Sequence, residues 1–293
     1  MTPARGGPAE LFLDCTQRES VLVLALPASA AQAQLVRRFD AQSAAGEGER
    51  FWIELEGLFD EARIGPDALS AIAVATGPGG FTGLRVSIAC AKAIAFARGI
   101  PVVGIPSAAL FAASDAARGG RGPWLVALAS KAGSAWVTAA TMTTAATANT
   151  TDIDADAAAG GIRLDEGAVL AEEAFARRAA DAAALGGVLL ADAHLDPSLS
   201  ACAMRAGIAV RGLSVDASAA RTLMRGALAR VVPSGGAGGA GGAGGAGGAG
   251  GAGGAAVGDR LSVAGSPFAL EPLYAREPEA VTNWRLRHAP HGA

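Results

Sequence analysis

The chain has 293 residues, 51% of them hydrophobic, with 17% charged, 5% aromatic and a formal net charge of -3. That length and apolar content allow one or two domains with a sizeable core, and the slightly negative balance argues against an extended basic surface for nucleic acid. Cys15, Cys90 and Cys202 stand far apart with no C-x-x-C pair, which argues against a zinc site or a disulfide framework and favours a reduced, cytoplasmic setting.

Residues 1–9, rich in glycine and proline, read as a disordered arm. No signal peptide is expected, because Arg5 is followed by no apolar stretch free of charge: Asp14, Arg18 and Glu19 interrupt it. Residues 11–16 predict a strand and 21–26 a second, with a polar hairpin turn between them; 33–39 predict a third. Residues 41–49 read as a polar loop. Over 51–62, Phe51, Leu55, Leu58 and Phe59 fall at helical spacing opposite Glu54, Glu56 and Asp60, which predicts an amphipathic helix.

Residues 72–98 are the densest stretch. Ile72-Ala73-Val74 reads as a short buried strand. A loop then gathers Gly77, Pro78, Gly79, Gly80 and Gly83, and a proline-free, alanine-rich run from Thr82 reads as a helix. Residues 101–105 predict another strand, and Pro106 sits near the start of a helix to about residue 117, where its missing N–H costs little. Together, residues 10–117 read β-β-β-α-β-α-β-α, an α/β lobe with helical crossovers.

Glycine-rich residues 118–122 mark a boundary to a second lobe over 118–232. It opens with a hairpin, 124–129 and 134–140, then a low-complexity Ala/Thr/Asp insertion at 141–161 with no assigned structure. A helix over 172–184, a strand at 188–191, a helix over 197–205 and a strand at 208–213 follow. Ser214 or Asp216 then caps a helix running to residue 230. Residues 233–256 hold a Gly-Gly-Ala repeat, a flexible tether of roughly 25 Å. The segment 257–293 is expected to dock back through the cluster Phe268, Leu270, Leu273 and Tyr274, with a frayed end.

Strand, glycine turn, helix is an arrangement that often cradles phosphate. Here Gly83 is followed by Leu84-Arg85 rather than Lys-Ser/Thr, and the glycine offsets miss G-x-G-x-x-G. The other reading is a tight turn with close helix–sheet packing. The helix after it is apolar almost all round: Leu84, Ile88, Ala91 and Ala95 form one stripe, Val86, Cys90, Ala93 and Ala97 another. It is either buried between the sheet and the 51–62 helix or shares with that helix a face for another protein. Asp14 ends the first strand where a metal–phosphate would sit in two-lobed nucleotide hydrolases. The following Cys15-Thr16-Gln17 lacks a glycine to wrap a phosphate, so a turn role suits it better and it stays a weak cofactor-binding candidate. His194, His288 and His291 form no H-x-x-x-H or H-E-x-x-H pattern, and no G-x-S-x-G elbow is present. No metal, cofactor or catalytic residue is expected.

The run Ile72-Ala73-Val74-Ala75-Thr76-Gly77-Pro78-Gly79-Gly80-Phe81-Thr82-Gly83-Leu84-Arg85-Val86, then Ala91-Lys92-Ala93-Ile94-Ala95 and Gly99-Ile100-Pro101-Val102-Val103-Gly104-Ile105-Pro106-Ser107, resembles the TsaB (YeaZ) family pattern G-P-G-S-F-T-G-L-R, helix, G-I-P-V-x-G-V-S-S. Leu11-Phe12-Leu13-Asp14-Cys15-Thr16 is similar to that family's I-D-T-S strand, and Glu271-Pro272-Leu273-Tyr274-Ala275-Arg276 to its P-x-Y-x-R segment. Gly80 stands where serine is usual. The family's D-A-R-x-G-E-V-Y hairpin is replaced by residues 129–136, which carry Ser130, Lys131, Ser134 and Trp136.

The resemblance implies an α/β, two-lobed actin/sugar-kinase/Hsp70-like (ASKHA) fold, with mixed sheets flanked by helices, that has lost its own nucleotide chemistry. It also implies a non-catalytic dimerisation and activating subunit of the complex that installs N6-threonylcarbamoyladenosine (t6A) next to the anticodon of tRNAs. The implied partner is a TsaD-like catalytic subunit, with a TsaE-like ATPase reached through the complex, threonylcarbamoyl-adenylate supplied by TsaC, tRNA met indirectly and no membrane. A homodimer through the same surface stays open. The family's partner helices fall on Phe51, Leu55 and Leu58 and on Phe81, Thr82, Leu84, Arg85, Ile88, Ala91, Lys92 and Ala95. The alternative from another class is an active ASKHA-superfamily ATPase or phosphotransferase.

Overall fold

A computed structural model describes residues 9–27, 33–40, 47–131, 133–142, 161–231 and 269–274. The expectations for the N-terminal arm, most of the Ala/Thr insertion, the Gly-Ala tether, His288 and His291 lie outside those residues. In the first lobe, β1 (Ala9–Asp14), β2 (Glu19–Ala25) and β3 (Gln34–Asp40) form an antiparallel meander. Helix α1 (Glu47–Ala62) leads to β4 (Leu69–Gly77), which pairs parallel with β1, setting Leu11 against Ile72 and Leu13 against Val74. Helix α2 (Phe81–Arg98) leads to β5 (Val102–Pro106), parallel to β4, and α3 (Ser107–Ala117) follows. Gly99 stops α2 in the left-handed region at φ 64°, its N–H returning to Ala95 and Phe96 carbonyls.

The second lobe repeats that plan. Strands β6 (Trp124–Ala129) and β7 (Ser134–Met142) form a hairpin, extended by β8 (Ile162–Leu164) and β9 (Ala168–Ala171), both paired to β7. Helix α4 (Glu172–Ala184), β10 (Val188–Ala191), α5 (Pro197–Ala206), β11 (Ala209–Gly212) and α6 (Ala217–Val231) complete it. The sheet orders are β3-β2-β1-β4-β5 and β8-β7-β6-β10-β11, with β9 beside β8 on β7. Each lobe therefore carries the order 3-2-1-4-5, with an antiparallel hairpin side and a parallel βαβ side.

Alternation along the strands splits the side chains between two layers. Phe12, Val21, Val23, Ala73 and Ala75 face inward, where they meet α3, α6 and Trp124, Val126 and Leu128 of the second sheet. Leu11, Leu13, Leu22, Leu24, Ile72 and Val74 face outward under α1 and α2. With both faces covered, the strands read as near-continuous apolar runs. The outer face of the second sheet is closed by α4 and α5 around Phe175 and Leu199.

Two boundaries differ from the sequence reading. Helix α1 starts at Glu47, inside the stretch read as a loop, because the first turn of a helix needs no apolar residue to form. Strands β8 and β9 were not expected; at three and four residues they are too short to show a period. Of the two candidate caps for α6 it is Asp216 that serves, its Oδ1 accepting N–H bonds from Ser218 at 2.9 Å and Ala219 at 3.0 Å.

Candidate functional site

The ends of β1 and β4 lie side by side, so the turn after β1 and the glycine loop after β4 meet at the mouth of the cleft between the lobes. A Cβ added to Gly79 would lie 2.2 Å from the Thr16 carbonyl oxygen, and one on Gly83 would lie 2.3 Å from that of Cys15. The Gly80 N–H donates to the Thr16 carbonyl at 2.7 Å. The loop glycines therefore let two backbones touch. Gly77, at φ +98°, lies against the carbonyl of Leu273, which a Cβ there would approach to 2.6 Å.

Asp14 sits just behind this contact, buried. Its Oδ1 accepts the Thr16 N–H at 2.9 Å and the Thr16 hydroxyl at 2.7 Å. Its Oδ2 is buried without a hydrogen-bond partner. Burial raises the Asp14 pKa, and the two Thr16 bonds oppose that shift. Burial likewise pushes the Cys15 and Cys90 thiols up to about 12, so both stay neutral.

The cleft holds about 340 Å³. Thr16, Gln17, Arg18 and the Gly79–Gly83 loop line one wall, and Leu128, Ala129, Asp192 and His194 the other. Helix α2 starts on it with no side-chain cap and no acidic residue in its first turn. His194 faces it with Nδ1 3.4 Å from the Asp192 carboxylate. Among the described residues no three of His, Cys, Asp and Glu converge as a metal set, and no helix is long and apolar enough to cross a membrane.

The residues expected to meet a partner divide into two sets. Phe51, Leu55, Leu58, Leu84, Ile88, Ala91 and Ala95 are buried in the chain's own outer core. There those side chains fix α1 and α2 to the sheet and to each other, and they leave little surface open in the lone chain. Phe81, Thr82 and Arg85 are exposed, and Lys92 is half-buried. With Ala89, Ala93 and Phe96, also exposed, Phe81 and Arg85 follow one face of α2 at three- and four-residue steps. On α1, Trp52 and Ile53 are half-exposed, at 53% and 50%. Sequence reasoning missed Trp52, Ile53 and Phe96, which follow the buried Phe51 and Ala95 in the chain. In the β6–β7 hairpin, Trp136 is buried against the inner core while Ser134 and Lys131 close the turn on themselves through a 3.0 Å bond.

The segment after the tether touches this site. Leu270 is fully buried in the outer core of the first lobe, and the Leu273 N–H donates to the Thr76 carbonyl at 2.6 Å. Tyr274 lies 5.2 Å from the Phe81 ring.

Residues 49–191 match the TsaD family, described as tRNA N6-adenosine threonylcarbamoyltransferase. A tRNA N6-adenosine threonylcarbamoyltransferase of Bacillus licheniformis is 46% identical over 57 residues, 20% of this chain, and this chain spans 17% of that relative's length. A solved structure of an uncharacterized protein with similarity to peptidase YeaZ from Pseudomonas aeruginosa superposes with a TM-score of 0.58 at 18% identity, covering 92% of this chain and 100% of that one. YeaZ from Pseudomonas aeruginosa matches at 22% identity and a TM-score of 0.45, over 57% of this chain and 68% of its own. The chain shares the fold of that YeaZ-similar structure over nearly its whole length.

The two mixed sheets with flanking helices form an α/β, ASKHA-like fold. The β1–β2 turn and the glycine loop after β4 share one wall of the inter-lobe cleft. The glycine loop on its wall is spent on contact with the β1–β2 turn.

Proposed function

We propose that this chain is a non-catalytic subunit of the machinery that makes t6A on tRNA, and that it binds a TsaD-like catalytic subunit through the outer faces of α1 and α2. The observation that carries the reading is the exposure of large apolar side chains on that helix pair. Trp52, Ile53, Phe81 and Phe96 stay open to solvent although both helices already bury their opposite faces in the core. Aromatic groups of this kind, set beside small residues such as Ala89 and Ala93, are what protein interfaces use as anchors. A TsaE-like ATPase and tRNA then meet the chain through the complex. A homodimer on the same face competes with the heterodimer.

Burial of the inner stripe dictates the test. Ile88→Glu or Ala91→Glu would place a carboxylate inside the core and unfold the lobe, whereas Ala89 lies on the exposed face. Ala89→Glu is expected to abolish co-purification with a TsaD-type subunit while circular dichroism and Tm match the parent chain. Undiminished binding by the folded variant would overturn the assignment.

A second reading, an active ATPase or phosphotransferase, draws on the unpartnered Oδ2 of Asp14 behind the cleft. Calorimetry of the lone chain with Mg-ATP separates the two. Tight binding lost in Asp14→Asn supports that chemistry, and no heat supports the scaffold.

A further inference from the structure

The exposed face of α2 opens with an arginine that is already held in place. The guanidinium carbon of Arg85 lies 3.6 Å from the centre of the Phe81 ring, and its Nε donates to the Tyr274 hydroxyl at 3.0 Å. Tyr274 comes from the strap 269–274, anchored by buried Leu270 and by the bond from Leu273 to Thr76. A stretch 189 residues away in sequence thus fixes the side chain of Arg85. Among the described residues the two terminal nitrogens of its fork have no acceptor, and the residue is exposed.

A planar fork with its inner nitrogen satisfied and its outer two free matches a carboxylate through two parallel bonds. An exposed arginine ordinarily loses rotamer freedom when it binds; here stacking and the Tyr274 bond have ordered it beforehand. We infer that Arg85 is a preformed receptor for a carboxylate side chain of the partner protein, and that Tyr274 is its positioning residue. This rests on the reading of α2 as a partner surface. A protein carboxylate fits better than a nucleic-acid backbone, which calls for several cations along a run of phosphates. Arg85 stands between Phe81 and Ala89; Lys92, two turns on, is half-buried, and Arg98 at the far end of the helix is already bonded to the Asp67 carbonyl at 2.9 Å.

The test is titration calorimetry of the full chain against a purified TsaD-type catalytic subunit, with Tm recorded for each variant. Arg85→Ala is expected to weaken binding about 30-fold, the scale of an interface hot spot. Arg85→Lys recovers little of that, because a point charge cannot make the paired bonds. Tyr274→Phe keeps the ring and the strap but removes the hydroxyl, and weakens binding about 3-fold, as for one modest hydrogen bond. The double variant Arg85→Ala/Tyr274→Phe binds no more weakly than Arg85→Ala alone, since the hydroxyl acts through the arginine. Full recovery in Arg85→Lys overturns the bidentate receptor, and additive losses overturn the positioning role of Tyr274. Undiminished partner binding in Arg85→Ala with weakened tRNA binding reassigns the fork to phosphate and overturns the carboxylate. If the parent chain itself fails to bind, the partner reading falls and this inference with it; parent binding with an unaffected Arg85→Ala sinks the inference alone.

Discussion

The two lobes solve the same junction in opposite ways. In each, the turn of the first hairpin must meet the loop that launches the helix after the fourth strand. The first lobe brings backbone to backbone: Gly80 N–H bonds the Thr16 carbonyl, and Gly79 and Gly83 leave no room for a Cβ. The second lobe uses side chains. Asp192 Oδ2 accepts the Ala129 N–H at 3.2 Å, and Asp196 Oδ2 accepts the Gly133 N–H at 2.7 Å while its Oδ1 caps α5 through Ser198. A carboxylate bridge spans a gap and can adjust; a backbone contact has no such slack. The outer layers differ too. Helices α4 and α5 carry charge on theirs, as in Glu173–Arg177 and Glu172–Arg205; α1 sets exposed Trp52 and Ile53 beside its own charges, such as the Arg50–Glu54 pair, and α2 shows mainly aromatic and small side chains.

Breaking the glycine junction should have the largest effect. Gly79→Ala or Gly83→Ala drives a methyl group into a main-chain carbonyl that cannot move without shifting β1, so a loss of about 3 kcal/mol or more is expected. Urea unfolding measures it. A loss under about 1 kcal/mol would show that the two backbones separate easily. Gly57, in the middle of α1 with nothing within 4 Å of an added Cβ, is the matched control. There, alanine should stabilise by up to about 1 kcal/mol.

The second lobe's junction should yield less and should respond to pH. The N–H groups of Ser198 and Gly133 lower the Asp196 pKa. A carboxyl with a lower pKa in the folded state contributes stability above its unfolded range and loses it as pH falls through the folded pKa. Asp196→Ala should therefore lower Tm at neutral pH, by less than the glycine variants do. The gap to the parent chain should close as pH drops below the usual carboxylate range. A gap that persists at acid pH would mean that packing, not the charge-assisted bonds, holds the loop.

Much of this architecture is legible in the sequence, because strands such as residues 11–13 and 72–75 are apolar on both faces and the glycine loop ends the second of them at a fixed place. The site is less so. In a helix that is apolar all round, Ala89 and Ala91 look alike, and only the sheet beneath decides that Ala91 is sealed and Ala89 open. Periodicity found the inward stripe of α1 and α2 and could not say that the outward one was the accessible one. The Arg85–Tyr274 contact crosses most of the chain, so no local pattern could reveal it. Strands β8 and β9 exist because β7 offers them an edge, a tertiary cause that three or four residues cannot record.

The smallest effect tests the contrast between the outer layers. Arg177 and Glu173 are paired at 3.0 Å one turn apart on α4, with side chains 70% and 87% exposed. Water screens such a pair and both side chains lose freedom in forming it, so Arg177→Ala should cost no more than about 0.5 kcal/mol. Arg85 on α2 is also exposed, but its stack on Phe81 and its bond to Tyr274 tie it to a strap rather than to a neighbouring charge. If α4 is a solvated face and α2 a docking face, Arg177→Ala should leave affinity for a TsaD-type subunit unchanged while Arg85→Ala reduces it. Equal losses of affinity from both would erase the distinction between the lobes, because charge anywhere on the surface would then be steering association.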